Sequence, residues 1–265
     1  MKKIVIVFCL LWVSINTVLG EGGVIKKRPL PHEYGQVVMN NYAERAGIAP
    51  VVFDHWLHRS KFTCRLCHVD LAFAMKTGET KVKAADNMKG YYCGACHNGK
   101  MAHEERVVFE ACSKNLTDDT KRCDRCHSQG RYVKKQYDFY DYTKQFAKER
   151  FGNGINWVKT EADGAVALID TIEGISIKRA PLPVDKDFSL YPKVRGMPEI
   201  IFSHNKHVVW NSCELCHPEV FPSVKRGSKQ YSMLEIFEGK YCGVCHTSVA
   251  FPLIDCQRCH SKPVM

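Results

Sequence analysis

The sequence predicts a mostly irregular, part α-helical fold with short β segments, built as two tandem modules around bound prosthetic groups. Three observations predict it. The motif Cys-x-x-Cys-His occurs six times in 265 residues. The motifs fall into two sets of three related by an internal repeat. The chain also opens on a segment with the make-up of an export signal.

The six motifs are CRLCH (Cys64, Cys67, His68), CGACH (Cys93, Cys96, His97), CDRCH (Cys123, Cys126, His127), CELCH (Cys213, Cys216, His217), CGVCH (Cys242, Cys245, His246) and CQRCH (Cys256, Cys259, His260). This pattern is the attachment site of a c-type haem. Two thiols form thioethers to the porphyrin, and the adjacent His becomes the proximal iron ligand. A disulfide scaffold or zinc ribbons would also use many cysteines, but neither explains a His after every second Cys. A zinc ribbon also spaces its pairs about 15–20 residues apart, whereas 25 residues separate Cys67 from Cys93. A thioredoxin-like motif would occur once, beside a βαβ pattern. The expected cofactors are therefore six covalently bound haem c groups, and the expected fold is a haem-cored multihaem cytochrome c. The porphyrins supply much of the apolar surface to be buried, which predicts thin secondary structure wrapped around them.

Residues 1–20 read as a signal peptide: Lys2 and Lys3, an apolar run from Ile4 to Val13, then small residues at Val18 and Gly20. Cys9 lies within that run, and no later stretch reaches 18 apolar residues, so no transmembrane segment is expected in the mature chain. Export agrees with haem attachment outside the inner membrane and predicts a periplasmic protein, with the outer cell surface as the alternative. The formal charge of +10 becomes about +8 without Lys2 and Lys3. Six haems with ionised propionates move the total to about +2 oxidised and about −4 reduced. The Lys/Arg excess is thus a counter-charge for propionates, and no nucleic-acid partner is expected.

The repeat has an offset of 149 residues, with roughly 16 identities in about 50 positions. Gly47 to His58 aligns with Gly196 to His207, and the register holds through His97/His246. The third motifs break it: 25 residues separate His97 from Cys123, but only nine separate His246 from Cys256. The predicted organisation is an N-terminal extension over 21–46, a first trihaem module over 47–132, a haem-free spacer over 133–195 and a second trihaem module over 196–265. Within the extension, Tyr34 to Ala46 reads as helical. In the spacer, Asp141 to Phe151 reads as a short helix ended by Gly152, and Ala165 to Ile172 with Ile175 to Lys178 as a weak hairpin. Pro181 and Pro183 mark an extended connector. The spacer is expected to pack on haem edges, with partner docking as the alternative.

Six proximal His leave His32, His55, His58, His103, His204 and His207. Four of them form a duplicated Phe-x-His-x-x-His element just before each module's first motif. Short β-like runs, Val51 to Phe53 and Ile200 to Phe202, deliver these pairs. His at i and i+3 on one helical turn can address two neighbouring irons. Cys112 remains unpaired, suited to a small buried hydrophobe or an intermolecular disulfide.

Phe-x-His-x-x-His followed by three Cys-x-x-Cys-His motifs resembles the small trihaem class III cytochromes of the c-seven type, known from metal-reducing bacteria. The resemblance covers 50–127 and 199–260. It implies that His55 lies opposite His68, His58 opposite His97, His204 opposite His217 and His207 opposite His246. The family pattern has a further His just before the second motif, which ligates the third haem. This chain has none there, in Ala84 to Gly90 or Met233 to Gly239. Met88 and Met233 are therefore candidate distal ligands for the third haems, with His103 competing with Met88 and His32 with Met233. The two Met do not align under the repeat. A Met ligand would raise the potential of its haem.

An iron with two protein ligands offers no substrate site and passes electrons only. No other catalytic constellation is evident, and no motif ends in Lys in place of His. The predicted function is a hexahaem electron carrier, not an enzyme, whose partners are other redox proteins or cytochromes and, at the cell surface, metal acceptors. Two alternatives stand beside it. One is a reductase in which the His127 or His260 haem has an open iron. The other is a filament subunit in which His32 ligates a neighbour's haem.

Overall fold

Short elements joined by turns are what this chain forms, because few of its stretches carry an apolar face long enough for a longer helix or strand. A computed structural model describes residues 28–103, 105–113, 120–129, 137–180, 183, 187–222, 225 and 229–262. The predicted signal at 1–20, with Cys9, and Pro181 of the predicted connector lie outside the described residues.

The first half comprises β1 (Gln36–Met39), β2 (Val51–Asp54), α1 (His55–Arg59), α2 (Ala84–Met88), β3 (Ala102–His103), β4 (Arg106–Val107) and α3 (Thr120–Asp124). The middle contributes α4 (Phe139–Tyr142) and α5 (Trp157–Ala162). The second half comprises β5 (Phe188–Leu190), β6 (Glu199–Phe202), α6 (His204–Asn211), α7 (Met233–Phe237), α8 (Gly243–His246), α9 (Cys256–Cys259) and β7 (His260–Lys262). In each half an antiparallel pair leads directly into the helix that carries the two upstream His. β1 pairs with β2, placing Val37 opposite Phe53. β5 pairs with β6, placing Phe188 opposite Phe202, and β7 adds to the other edge of β6.

Three local expectations are corrected. Tyr34 to Ala46 is not helical: Gln36–Met39 is a strand, followed by a single 3₁₀ turn at Glu44–Ala46. Val37 and Val38 favour extended backbone, and β2 supplies the ladder partners. The predicted helix from Asp141 stops at Tyr142. The backbone beyond it bonds sideways instead, with Asn156 N–H donating to Ala147 O at 2.8 Å, Glu149 N–H to Gly154 O at 3.0 Å and Ala147 N–H to Thr160 Oγ1 at 3.1 Å. No hairpin forms over 165–178. Ile169 bridges Phe62 in parallel, and its N–H donates to Lys61 O at 2.8 Å. The strand-like run thus satisfies its backbone on the first half of the molecule rather than on itself.

The apolar core explains why. Trp56 of α1, Phe139 of α4, Phe146, Ile155, Trp157 of α5, Val166 and Trp210 of α6 form one buried cluster. Five of these seven come from 139–166, so the predicted spacer is a packed element that ties α1 to α6. Edge-to-face ring contacts run through it: Trp56–Phe139 at 5.1 Å, Phe146–Trp157 at 5.8 Å and Trp157–Trp210 at 6.3 Å. The short helices hold by capping. Asp138 accepts from the N–H groups of Tyr140 and Asp141, Asn156 accepts from Lys159 N–H, and Ser232 with Glu235 forms a reciprocal capping box at α7.

Trp157→Ala removes the centre of this cluster and is expected to cost about 3–5 kcal/mol, read by chemical unfolding of the holoprotein. Val158→Ala, on the outward face of the same helix, is expected to change stability by less than about 0.5 kcal/mol.

Candidate functional site

One helical turn shapes each Cys-x-x-Cys-His segment. The His N–H donates back to the carbonyl of the first Cys in four of them, at 2.8 Å for His97 and His127 and 3.0 Å for His217 and His246. That i to i−4 bond places both sulfurs, three residues apart, on one face with the imidazole beside them. None of the thirteen described cysteines forms a disulfide. Among the described residues no group of three or more His, Cys, Asp or Glu side chains converges as an ion cage.

Eight imidazoles are oriented through Nδ1. His68 donates to Phe73 O at 2.8 Å, His217 to Phe221 O at 2.8 Å and His246 to Phe251 O at 3.0 Å. His127 donates to Ala49 O at 2.6 Å and His260 to Pro198 O at 2.8 Å. Among the upstream residues, His55 donates to Gly35 O at 2.6 Å, His58 to Asp54 O at 3.2 Å and His207 to Ser203 O at 2.7 Å. A proton held at Nδ1 leaves the Nε2 lone pair as the ligand. His97 and His204 are buried at Nδ1 without a hydrogen-bond partner, and the His97 ring lies 4.5 Å from that of Phe109.

Three pairs of imidazoles face one another. His55 and His68 have ring centroids 6.5 Å apart and planes within 5°; His58 and His97 are 6.3 Å apart, as are His207 and His246. Two metal–nitrogen bonds of about 2 Å, plus about 1 Å from each nitrogen to its ring centre, require about 6 Å. The residues therefore fit a single ion between each pair. Burial pushes the pKa of His55, His58 and His246 down to about 4, so these rings are neutral at neutral pH, as a ligand must be. His204 rests against Phe188 at 5.3 Å and Phe202 at 4.9 Å, while His217 lies against Phe221 at 6.2 Å.

Burial also raises the thiols, aided by neighbouring sulfurs. Cys67, Cys93 and Cys245 are pushed up to about 12, and Cys216 and Cys242 to about 11. After burial, the largest contribution comes from Cys96 at Cys67, from Cys126 at Cys93 and from Cys259 at Cys242. Cys112 is half-buried beside Asn87, whose Nδ2 lies 3.6 Å from its sulfur.

The duplication reaches further in space than in sequence. His127 bridges Val51 and bonds Ala49, while His260 pairs with Ile200 and bonds Pro198. Both partner residues are related by the 149 offset, although the third motifs themselves are not. Helices α2 and α7 also correspond residue for residue. Met88 stands at the last position of α2 and Met233 at the first of α7, one turn apart on the same helix face, 41% and 40% exposed. His103 packs on Phe62 at 5.4 Å, and His32 Nδ1 meets Tyr140 Oη at 3.4 Å.

Sequence reasoning missed why the second motif of each half begins Cys-Gly. A Cβ on Gly94 would lie 1.9 Å from Asn87 O, and one on Gly243 would lie 1.9 Å from Ile236 O. Only glycine lets the motif lie against the preceding helix; the signal was the same Gly at the same offset. Gly94→Ala and Gly243→Ala are each expected to force α2 or α7 away and lower the thermal midpoint of the holoprotein, with lost signal confined to that half in hydrogen exchange.

The family of cytochrome c7 and related cytochromes c matches residues 51–138 and 200–261. Among solved structures, the chain is similar to a C-terminal hexahaem fragment of a dodecahaem cytochrome c, at 24% identity over 89% of this chain and 99% of that one, with a TM-score of 0.26. The intact dodecahaem protein gives 24% identity over 85% and 73% of the two chains, with a TM-score of 0.27. A c7-type three-haem domain gives 35% identity over 29% of this chain and 93% of its own, with a TM-score of 0.26. No curated protein matches the chain.

Proposed function

Since the chain belongs to the family of cytochrome c7 and related cytochromes c, which matches more than half of it, we propose that it is an exported hexahaem electron carrier of the periplasm. It is a c-type multihaem cytochrome, and its work is electron transfer. Each haem supplies reversible one-electron exchange at iron; the chain anchors, orients and insulates it.

Six anchors follow from the six motifs: Cys64/Cys67, Cys93/Cys96, Cys123/Cys126, Cys213/Cys216, Cys242/Cys245 and Cys256/Cys259. The proximal ligands are His68, His97, His127, His217, His246 and His260. His55, His58 and His207 are the distal ligands opposite His68, His97 and His246, and His204 serves His217 by its equivalence to His55. The observation that carries this reading is the three opposed imidazole pairs at 6.3–6.5 Å. Each joins a residue of the Phe-x-His-x-x-His element to a motif His, with the proton parked at Nδ1 in five of the six rings. Two protein ligands close the iron to substrates. Carbonyl acceptors behind the rings raise ligand basicity.

Met88 and Met233 are the proposed distal ligands for the His127 and His260 haems, supported by their shared helix face. His32 engages Tyr140 of its own chain, which favours a discrete molecule over a filament. Among the described residues no helix is long and apolar enough to cross a membrane. The proposed partners are other redox proteins, or metal acceptors if the protein reaches the cell surface.

Intact mass of the holoprotein is expected to exceed that of the processed chain by six haems. Low-temperature EPR and near-infrared magnetic circular dichroism should give six low-spin haems, four His/His and two His/Met. A high-spin ferric signal that binds carbon monoxide on reduction would make the protein a reductase instead. His58→Ala is expected to turn one His/His signal into a high-spin one, with the others unchanged.

A further inference from the structure

The two halves meet through their first motifs. Arg65, inside CRLCH, is 1% exposed and binds both oxygens of Asp70, at 3.0 and 2.9 Å. Its Nε donates to Asp170 Oδ1 at 3.0 Å and its Nη2 to Asp170 O. Asp70 also accepts from Arg179 Nη1 at 3.2 Å, and Arg179 Nε pairs with Glu214, inside CELCH. Glu214 is the residue that the 149 offset matches to Arg65. Equivalent positions of the two halves thus carry opposite charges and are bridged by Asp70 and Arg179. The sulfurs agree: Cys64 neighbours both Cys216 and Cys245.

A cation lies at this junction. Arg59 of α1 donates through Nη1 to Val249 O, just past the fifth motif, at 2.7 Å. Its guanidinium sits 4.4 Å from the Trp157 ring centre and 5.1 Å from that of Trp210, and its Nε is buried with no partner. Cys64 and Cys245 flank it, with Tyr34 and Glu149 nearby. Tyr34 Oη donates to Ala250 O at 2.5 Å, adding a second tie across the same seam.

Resting on the haem assignment above, we infer that electrons cross between the modules at the Cys64/Cys67 group, with Arg59 as the buried cation that sets its potential. The bridge from Arg65 through Asp70 and Arg179 to Glu214 joins the first motif of one module to the first motif of the other, so the modules meet head to head rather than head to tail. Cys64 and Cys67 would hold the group that gives up one electron, and Cys242/Cys245 or Cys213/Cys216 the group that would accept it, with no bond made or broken. Arg59 favours the state with the extra negative charge, so it raises the potential of the groups it faces.

The crossing is tested on the unmodified, fully reduced holoprotein by proton NMR. Nuclear Overhauser contacts are expected between substituents of the Cys64/Cys67 haem and those of the Cys242/Cys245 or Cys213/Cys216 haem. Contacts from the Cys123/Cys126 haem to the second module instead would overturn it. The cation is tested by potentiometry of Arg59→Gln and Arg59→Lys, each checked for full haem content by mass. Arg59→Gln is expected to make reduction of one or two haems at least tenfold less favourable, about 59 mV for one electron, while Arg59→Lys retains most of the wild-type potential. Six unchanged midpoints in Arg59→Gln, or a shift confined to the Cys123/Cys126 and Cys256/Cys259 haems, would refute its role. If Arg59→Gln does not assemble, Arg59→Lys decides: a drop equal across all six haems counts against the assignment. A wild-type protein without covalent haem would instead overturn the assignment of function beneath it.

Discussion

The hydrogen bond from imidazole Nδ1–H to a backbone carbonyl is the constraint on which the rest depends. A His side chain on a short turn has two free torsions and two ring nitrogens, and only a fixed acceptor settles both. Eight rings find that acceptor in the main chain, and the fold is organised to present it. The residues before β2 and β6 supply Ala49 O and Pro198 O to the third-motif His, while Asp54 at the end of β2 and Ser203 just after β6 supply their carbonyls to His58 and His207. The strands are short because this is their task. They deliver carbonyls and the Phe53 and Phe202 rings that stack beside His58 and His207 at 4.4 and 4.6 Å.

With so little regular structure, the polypeptide needs a second source of cohesion. The aromatic cluster of 139–166 provides it, because rings edge to face bury large areas at low entropic cost. The ion network around Arg65 and Asp70 does a different job. Buried pairs add little net stability once desolvation is counted, yet breaking one leaves an unpaired buried charge. Burial raises the Asp170 carboxyl, but the bonds from Arg65 and Thr63 outweigh it and hold the group below its usual range. Such a network specifies which surfaces of the two halves meet more than it strengthens their meeting. Its two ends, Arg65 and Glu214, lie inside the motifs, so the join is registered on the attachment sites themselves.

Much of the site was legible. The six motifs needed no structure, and the Phe-x-His-x-x-His pairs stood out because they recur at one offset. The β-run before each pair was visible in Val51 to Phe53 and Ile200 to Phe202. Its partners were not: Gln36–Met39 reads as weakly helical, and Phe188–Leu190 follows a Pro-marked stretch, since pairing rather than propensity makes them strands. The Asp141 helix failed for a related reason, as the backbone groups of Ala147 and Glu149 found partners at 154–160. Ser232-x-x-Glu235 was a readable capping box that the pattern of motifs overshadowed.

What the sequence by itself determined is local chemistry: which thiols and imidazoles belong to one turn, that the unit is duplicated, and which His precede each unit at helical spacing. Those facts depend on residues a few positions apart, whose geometry one helical turn dictates. Only the tertiary structure decided which His faces which, that the third motifs hold equivalent places despite their broken register, and that Arg65 and Glu214 meet through Asp70 and Arg179. Apart from His55 with His68 and Arg65 with Asp70, each of these is a contact between residues more than thirty positions apart in the chain. Such contacts are chosen by packing and by the need to pair every buried charge and carbonyl, and no local spacing encodes that choice.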